Sequence, residues 1–409
     1  MSRSPRSASE VPPQTPALAK LPPGIWALGF VSLFMDVSSE LIHSLLPLFM
    51  ATVLGASMTT IGIVEGIAEA TAAIAKVFSG ALSDWLRKRK FLLLAGYGLS
   101  ALTKPLFPLA GSIATVFAAR FADRVGKGIR GAPRDALIAD LTPKAQRGAA
   151  YGLRQAMDSV GAVLGPLLAL AGMALLADNI TAVLWIGVVP AVIAVLILAV
   201  AVREPEQVAA SSNGRQLQWR QARRLPPVFW LVVLLGFVFT LARFSEAFLV
   251  LRANDAGMPL LYVPLVMVVM SAAFAAASYP AGKAADRIDR RLLLVAGMVV
   301  LAAADLLLAV AAGPWLVLAG AALWGLHMGL TQGLLSALVA DTAPSRLRGT
   351  AFGIFNLVAG IALILASLIA GLLWDRVGAA ATFLAGGGFA LLAGIGVLLE
   401  KRATAGSRA

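Results

Sequence analysis

The sequence contains no cysteine and has only two histidines in 409 residues. The lack of cysteine excludes disulfide bonds, thiol catalysis and cysteine-ligated metal sites. The two histidines, His43 and His327, lie in different halves of the chain and make no metal-binding group by themselves. A glycine-rich phosphate loop that ends in Lys-Ser or Lys-Thr is absent as well, which argues against an ATP-driven pump. We therefore expect no metal, no cofactor and no enzymatic activity.

Charged residues are scarce too. They make up 13% of the chain, against about 25% in a typical soluble domain, while hydrophobic residues make up 59%. The apolar residues form continuous runs such as 292–312, each near the roughly 20 residues that a membrane helix needs, and not the alternating segments of a membrane β-barrel. We predict an all-α membrane protein with twelve transmembrane helices, at 25–54, 58–83, 91–110, 112–140, 148–176, 181–201, 227–252, 259–281, 292–312, 314–341, 349–373 and 379–399.

Positive charge is concentrated on one side of the predicted membrane. The net charge is +13, and most lysines and arginines lie in the chain ends and in the loops that follow even-numbered helices. The opposite loops carry only Arg252 and Arg376. This bias places both termini in the cytoplasm and predicts a multi-pass protein of the inner (plasma) membrane, with no nucleic-acid partner.

The predicted helices divide the chain into five parts. Residues 1–24 are rich in Ser, Pro and Ala, and we expect a disordered cytoplasmic tail. Two six-helix bundles follow at 25–202 and 227–400. A basic linker at 203–226 joins them, and 401–409 form a second cytoplasmic tail. The arginines of the linker fit a positive-inside loop, and a lipid-binding patch is the alternative.

Two pairs of segments indicate that the halves repeat in the same direction. Residues 139–152 and 340–353 share Asp, Pro, Arg, Gly and Gly in register, 201 residues apart. Residues 80–89 and 282–291 share Gly and Asp followed by basic residues, at an offset of 202. A parallel repeat in a very apolar chain is typical of transporters whose substrate site lies between the two halves.

The segment 80–89 resembles the signature loop between helices 2 and 3 of the major facilitator superfamily, and 282–291 resembles its weaker copy between helices 8 and 9. The resemblance covers about 25–400 and implies two six-helix halves and secondary transport. We assign a gating role to the residues of these loops and of the repeated segments, namely Gly80, Asp84, Arg87, Lys88, Asp140, Arg147, Gly282, Asp286, Asp341 and Arg348.

Predicted helix 4 strengthens the resemblance. Arg120 precedes Asp140 by twenty residues, as in the superfamily's pattern, although Asp123 and Arg124 stand where that pattern has Gln and Gly. The segments 34–43 and 123–138 also resemble a subgroup of prokaryotic facilitator permeases, many of them uncharacterised. That subgroup implies the fold and secondary transport but gives no substrate.

Predicted helix 5 suggests the direction of transport. Gly152, Gly161, Gly165 and Pro166 follow the spacing of the antiporter motif that is typical of drug–proton exporters, except that Ala-Leu replaces the closing Gly-Gly. The glycines allow close helix contact and the proline permits a bend, so we add Gly161, Gly165 and Pro166 to the gating residues. A general packing seam of small residues is the alternative.

Ionisable side chains inside membrane helices are costly and are therefore candidates for function. Asp36, Glu40 and His43 share one face of helix 1, and we expect the two carboxylates to lie beside the arginines of predicted helix 4, with Arg120 approaching that face. Burial raises the pKa of a carboxyl group and a nearby arginine lowers it, so such a group could exchange a proton; a static ion-pair network is the alternative. The predicted proton-coupling residues are Asp36, Glu40, His43, Glu65, Glu69 and Asp158.

We expect the remaining buried charges to have other roles. Lys76 and Lys104 are expected to extend toward the membrane interface, and Asp305 and His327 to make local hydrogen bonds. The predicted substrate-binding residues are Asp36, Glu40, Arg120, Asp123, Arg124, Arg154, Arg243, Glu246 and Asn356.

Together these features favour a monomeric, proton-coupled exporter of a small amphipathic or organic molecule that works by alternating access. Its partners would be this small-molecule substrate, protons and the lipid bilayer. An importer of a small anion or zwitterion is the alternative within transport, because predicted helix 4 is so basic. A lipid flippase and a non-transporting receptor on the same fold are further alternatives.

Overall fold

The computed structural model of the chain describes residues 21–86, 88–204, 225–344 and 347–406. Arg87 and most of the predicted tail and linker lie outside these ranges. The regular structure of the described residues is helical, with short 3-10 turns at Lys104–Leu106, Lys144–Gln146 and Leu260–Tyr262. The α-helices are α1 (Pro23–Thr52), α2 (Met58–Leu86), α3 (Arg89–Thr103), α4 (Ile113–Leu141), α5 (Arg147–Leu175), α6 (Ile180–Ile186), α7 (Val188–Ala201), α8 (Pro227–Leu241), α9 (Ala247–Asp255), α10 (Leu265–Ala285), α11 (Arg290–Ala309), α12 (Pro314–Thr331), α13 (Leu334–Thr342), α14 (Arg348–Arg376) and α15 (Ala379–Gly406).

Three of the twelve predicted transmembrane helices consist of two shorter α-helices. Gly187 separates α6 from α7, and Gly333, whose φ of 73° is left-handed, separates α12 from α13. Glycine adopts this conformation without the penalty that a Cβ brings. The prediction of one continuous helix at 227–252 is wrong, because the chain leaves the helix at 242–246 between α8 and α9.

The ends of the helical region differ slightly from the prediction. α1 begins at Pro23, inside the predicted tail, because proline suits the first turn of a helix. α15 continues to Gly406, so the predicted tail at 401–409 is helical in its first part. No proline or glycine interrupts 401–405, and these residues are compatible with a helix.

Eight helices or helix pairs are long and apolar enough to cross a membrane by length and composition. The four other predicted transmembrane helices correspond to α2, α3, α4 and the α8–α9 pair. α2 and α4 carry many ionisable residues, whereas α3 and α8 have 15 residues each. The charged helices α2 and α4 thus hold several of the buried charges described below, whereas α8 is apolar but short.

The helices of the two halves pack in the same pattern. In the first half α1 packs on α5 and α7, and α4 packs on α2 and α3; in the second half α8 packs on α14 and α15, and α12 packs on α10 and α11. The halves meet where α2 packs on α14 and where α5 packs on α10. This arrangement is the one that a parallel repeat of six-helix units requires.

The seam between α2 and α14 is close. A methyl group at Gly371 would lie 2.5 Å from the carbonyl oxygen of Met58 and 2.6 Å from Cα of Thr59. A glycine at this position lets the two backbones approach. This contact lies at the predicted periplasmic end of the bundle, opposite the end that carries residues 21 and 406.

Candidate functional site

A cavity of about 460 Å³ lies between the two halves. The first half contributes a charged wall, and the second half contributes a wall with aromatic and sulfur-containing side chains. The lining residues are Glu40, His43, Glu69, Arg124, Lys127, Ala162, Thr240, Arg243, Phe244, Ser245, Glu246, Met270, Ser271, Phe274, Trp324, Met328, Ala359 and Leu363.

His43 of α1 contacts charged side chains from both halves. Its Nδ1 lies 2.7 Å from Nη2 of Arg120 on α4, and its Nε2 lies 3.9 Å from Oε2 of Glu246 in the second half. The N–H groups of arginine only donate, so Nδ1 accepts and the proton of the neutral imidazole is on Nε2, on the side of Glu246. Protonating Nδ1 would remove the acceptor that Arg120 uses. The protonation state of His43 is therefore linked to both Arg120 and the contact between the halves.

Arg120 is paired with α2. Its Nη2 donates to Oε2 of Glu65 at 2.7 Å and lies near Oε1 of Glu69, with 3.7 Å between Nη2 of Arg120 and this oxygen. Arg120 is 1% exposed and Glu65 is fully buried. Arg120 approaches the predicted face of α1 through His43, but its carboxylate partners come from α2 and not from Asp36 or Glu40.

The glycines of α5 show where the acidic face of α1 lies. A methyl group at Gly161 would be 2.9 Å from Cβ of Asp36, and one at Gly165 would be 2.8 Å from Cβ of Glu40. The absence of side chains at these two positions lets α1 and α5 pack closely, with the buried Pro166 next to the seam. Glu40 reaches the cavity, whereas Asp36 is not one of the lining residues.

The ion pairs of Arg120 continue along α4. Nη1 of Arg124 lies 3.3 Å from Oε1 of Glu69, and its Nε lies 3.7 Å from Oδ2 of Asp123. Arg124 and Glu69 line the cavity, while Asp123 lies behind them and is buried. The predicted substrate-binding residues Arg120 and Asp123 therefore support the cavity wall from behind.

Lys104 is a residue of this network that sequence reasoning missed. Its Nζ donates to Oδ1 of Asp123 at 3.0 Å and to Oγ of Ser39 at 3.1 Å, and the residue is 1% exposed. The expectation that Lys104 extends toward the interface is wrong, because its buried ammonium group is held inside the bundle by Asp123 and Ser39. Asp123 is an acidic residue on a predicted helix that is rich in basic residues. This feature of the sequence could have indicated that a buried cation pairs with it.

Asp158 and Arg154 belong to a separate cluster. Nη2 of Arg154 lies 3.3 Å from Oδ2 of Asp158, and Nη1 of Arg134 lies 3.9 Å from Oδ1 of Asp158. Arg134 also donates to Oγ of Ser32 at 2.8 Å. The structure does not bring Asp158 and Arg154 into the cavity lining; the cluster ties α1, α4 and α5 together.

The interruption at 242–246 brings charged side chains of the second half to the cavity. Arg243 and Glu246 both line it. The guanidinium of Arg243 lies 5.8 Å from the centre of the Phe239 ring, and no carboxylate of the described residues lies within 4.0 Å of it. Asn356 of α14 does not line the cavity, but Ala359, one helical turn further on, does.

Two of the predicted gating residues form equivalent ion pairs in the two halves. Asp140, at the end of α4, pairs with Arg89 of α3. Asp341, at the end of α13, pairs with Arg290 of α11, with 3.1 Å between Nη1 and Oδ2. Each pair joins helices of one half, so both pairs can persist while the halves move relative to one another.

The other predicted gating residues lie near the predicted cytoplasmic end. Arg147 donates to the carbonyl oxygen of Ala139 at 3.1 Å, and a methyl group at Gly80 would lie 3.6 Å from Cβ of Ala132 on α4. Lys88, Asp286 and Arg348 are exposed, as is Gly282. Arg87 lies outside the described residues, and for Asp84 only the helical backbone is described.

The two isolated ionisable residues of the second half behave differently. His327 makes the expected local hydrogen bond, with Nδ1 donating to the carbonyl oxygen of Gly297 at 2.8 Å. Asp305 does not: it lies next to Gly386, and within the described residues both of its carboxylate oxygens lack a hydrogen-bond partner.

The halves are joined at the predicted periplasmic end by Asp375 of α14. Its carboxylate accepts from the backbone N–H of Met58 at 3.1 Å and of Thr59 at 2.8 Å, and from the Thr59 hydroxyl at 2.6 Å. Toward the other end, a second cavity of about 310 Å³ separates Gln155 of α5 from α10, α12 and α13. The halves thus contact one another at one end of the bundle and stand apart nearer the other.

The chain belongs to the major facilitator superfamily. A family model described as Major Facilitator Superfamily matches residues 28–275 and 247–408. The predicted family and the predicted all-α fold of twelve transmembrane helices in two halves are thereby confirmed, and the chain is a multi-pass membrane protein with a transporter fold.

The chain is similar to proteins of this family from other organisms. It is 32% identical over 383 residues to a protein of Methanocaldococcus jannaschii described as an uncharacterised MFS-type transporter, and the match covers 92% of this chain and 94% of that protein. Two solved structures share the fold at low identity. A bacterial homologue of the human lysosomal transporter Spinster, in an inward-facing and occupied conformation, has a TM-score of 0.76 at 15% identity, covering 92% of this chain and 96% of the other. A D-xylose–proton symporter has a TM-score of 0.71 at 16% identity, covering 91% and 96%.

Proposed function

We propose that this protein is a proton-coupled exporter of a small amphipathic or organic molecule. It would work as a monomer in the inner membrane, with both termini in the cytoplasm, by alternating access of the central cavity. The observation that carries the proposal is the position of His43, which bonds to Arg120 of its own half and faces Glu246 of the other half at the cavity wall.

Protonation of His43 would change the contact between the halves. A neutral His43 accepts from Arg120, whereas an imidazolium has no acceptor and repels the guanidinium. The imidazolium would instead attract the carboxylates of Glu246 and Glu65, which lie 3.9 Å from its two ring nitrogens. Histidine is suited to this role, because its ordinary pKa lies near physiological pH. Proton binding would thereby favour the state in which the halves are joined at His43.

Export is supported by the seam between α1 and α5. The glycine spacing that resembles the antiporter motif packs directly against Asp36 and Glu40, so movement of α5 would move the acidic face of α1. The cavity also suits an amphipathic molecule, because Phe244, Phe274 and Trp324 of the second half face the charged wall of the first.

An importer of an anion or zwitterion is the second candidate. Lys127 and Arg243 both line the cavity, and neither has a carboxylate of the described residues within 4.0 Å. These two cations are available to an anionic group of a substrate. The fold itself is compatible with uptake, since the D-xylose–proton symporter shares it.

The two candidates are separated by the direction of coupling. A thermal-shift screen of organic cations, anions and zwitterions identifies a stabilising compound, and its flux is measured in proteoliposomes with an imposed pH gradient. An exporter that exchanges protons for substrate accumulates the compound when the lumen is acidic. Accumulation driven by an acidic exterior would instead establish the importer.

The role of His43 is tested in the same assay with a matched control. His43→Gln should abolish the response to the pH gradient while the thermal shift by the compound is retained, because the amide cannot carry a proton. His327→Gln removes the other histidine, which bonds to a backbone carbonyl away from the cavity lining, and should leave the response intact. A full response in His43→Gln would exclude His43 as the coupling group.

A further inference from the structure

Asp305 is a buried carboxylate that the proposed mechanism does not use. It lies in α11 and is fully buried. Neither carboxylate oxygen has a hydrogen-bond partner in the part of the chain that the structure describes. A buried ionised carboxylate without a partner is costly, so the position of Asp305 requires an explanation.

Phe244 is a neighbour of Asp305 and also belongs to the central cavity. A methyl group at Gly386 of α15 would lie 2.7 Å from Oδ2 of Asp305 and 2.8 Å from Cε1 of Phe244, so the ring edge and the carboxylate are neighbours. Phe244 also lines the cavity, and its ring packs against Trp324 and Phe383. One aromatic side chain thus adjoins both the cavity and the carboxylate.

The charged groups on the helices around Asp305 do not pair with it in the part of the chain that the structure describes. Arg252 of α9 donates to the carbonyl oxygens of Leu308 and Ala311 near the end of α11. His327 of α12 bonds to Gly297, two turns before Asp305, and Arg243 stacks on Phe239. No ion pair of Asp305 occurs among the described residues.

A proton is the ligand that these surroundings fit. A metal cation such as Ca²⁺ takes about six to eight oxygen ligands, and no group of three or more acidic, histidine or cysteine residues that could hold a metal occurs among the described residues. We propose that Asp305 is a proton-binding site of the second half, screened by Phe244 and exchanging protons with the central cavity when the interrupted segment 242–246 moves.

This site lies beyond the His43 group of the first half. The segment 242–246 is not helical and carries both Phe244 and Glu246, the contact of His43. A movement of this segment would therefore act on both protonation sites. The existence of a proton site at Asp305 does not depend on the proposed direction of transport. Only the role of this proton in transport rests on the proposed function.

Infrared spectroscopy of the protein in nanodiscs tests the proposal without a substrate. A protonated carboxyl group has a C=O stretching band separate from that of a carboxylate, and Asp305→Asn should remove one component of this band. Phe244→Ala should accelerate hydrogen–deuterium exchange of the same component several-fold, because the screen is removed. Phe274→Ala, which shortens another phenylalanine of the cavity wall, should leave the exchange rate unchanged.

A second pair of variants covers the case in which Asp305→Asn does not fold. Gly386→Ala places a methyl group against the carboxyl group and should shift the band, whereas Gly388→Ala, with nothing within 4 Å of the new methyl group, should not. An unchanged band in a folded Asp305→Asn or in Gly386→Ala would overturn the proposal, as would equal exchange rates in the wild type and Phe244→Ala. If these results are as expected but pH gradients drive no flux in the wild type, the proton site at Asp305 is supported and the proposed function is contradicted.

Discussion

Lys104 and Asp123 are the buried end of a continuous series of ion pairs in the first half, which reaches the cavity at Glu69. The series runs from Lys104 through Asp123, Arg124 and Glu69 to Arg120. Burying charges is costly even when they are paired, and apolar replacements of the same volume are often as stable. An extended network of this kind beside the cavity therefore agrees better with a role in charge movement than with packing alone.

Removing one member of the buried pair should be strongly destabilising. Lys104→Met leaves Asp123 without its closest cation, and we expect a loss of about 3–5 kcal/mol in the free energy of unfolding. The double variant Lys104→Met, Asp123→Leu should be more stable than Lys104→Met alone, because no uncompensated charge remains. Unfolding in denaturant, followed by tryptophan fluorescence, measures both variants.

Lys76 provides the control for this prediction. It is also a lysine of a membrane helix, but it is exposed, so Lys76→Met should change the free energy of unfolding by less than about 0.5 kcal/mol. Equal losses in Lys76→Met and Lys104→Met would contradict the structural role of the Lys104–Asp123 pair.

Among the helices, α2 and α14 hold the two halves together at the predicted periplasmic end. Asp375 accepts from two backbone N–H groups at the beginning of α2, as an N-cap residue does, but it comes from the other half of the chain. A carboxylate at this position is also favoured by the helix dipole. The bonds of Asp375 must break if the cavity is to open at this end.

Asp375→Ala should shift the population toward the state that is open at the predicted periplasmic end. The loss of an N-cap costs about 0.5–2 kcal/mol, enough to change an equilibrium several-fold. Because the chain has no cysteine, spin labels on Val53→Cys and Val377→Cys report the distance between the halves without a background. The distance distribution should move to longer values in Asp375→Ala.

The matched control is Asp178→Ala, which changes an exposed aspartate at the same predicted end of the bundle. It should leave the distance distribution of the labelled pair unchanged. If Asp375→Ala also leaves it unchanged, the capping bonds do not stabilise the closed end.

The sequence was sufficient to locate the transmembrane helices. It did not predict how each helix is rotated about its own axis. Apolar runs locate the transmembrane helices because each must satisfy its backbone within the membrane. The partner of Arg120 depends on how α2 and α4 are rotated about their axes, and the sequence does not contain that information directly. For this reason Glu65 was a candidate while its bond to Arg120 was not foreseen.

Interruptions within helices were harder to predict. Gly333 could have indicated the break between α12 and α13, since it adopts a left-handed conformation. The segment 242–246 contains neither glycine nor proline, and its break places Arg243 and Glu246 on the cavity. That break depends on tertiary packing, which includes the bond from the Ser245 backbone to Ser367 of α14.

For the molecule as a whole, the parallel repeat was the most informative feature of the sequence. It predicts two equivalent halves, and the ion pairs Arg89–Asp140 and Arg290–Asp341 occupy equivalent positions in them. The repeat does not predict which end of the cavity is closed, because both states use the same two halves. The distribution of chemistry is not symmetric: the first half holds most of the buried charges, and the second half holds the aromatic wall.

The central claim is that movement of the substrate and of protons is coupled in opposite directions. The most direct test is to impose a gradient of the stabilising compound across proteoliposomes that start at equal pH, and to follow the lumenal pH with an enclosed dye. Entry of the compound should raise the lumenal pH, because each inward transport step exports protons, and His43→Gln should abolish this change. A fall in lumenal pH, or no change while the compound enters, would contradict the account.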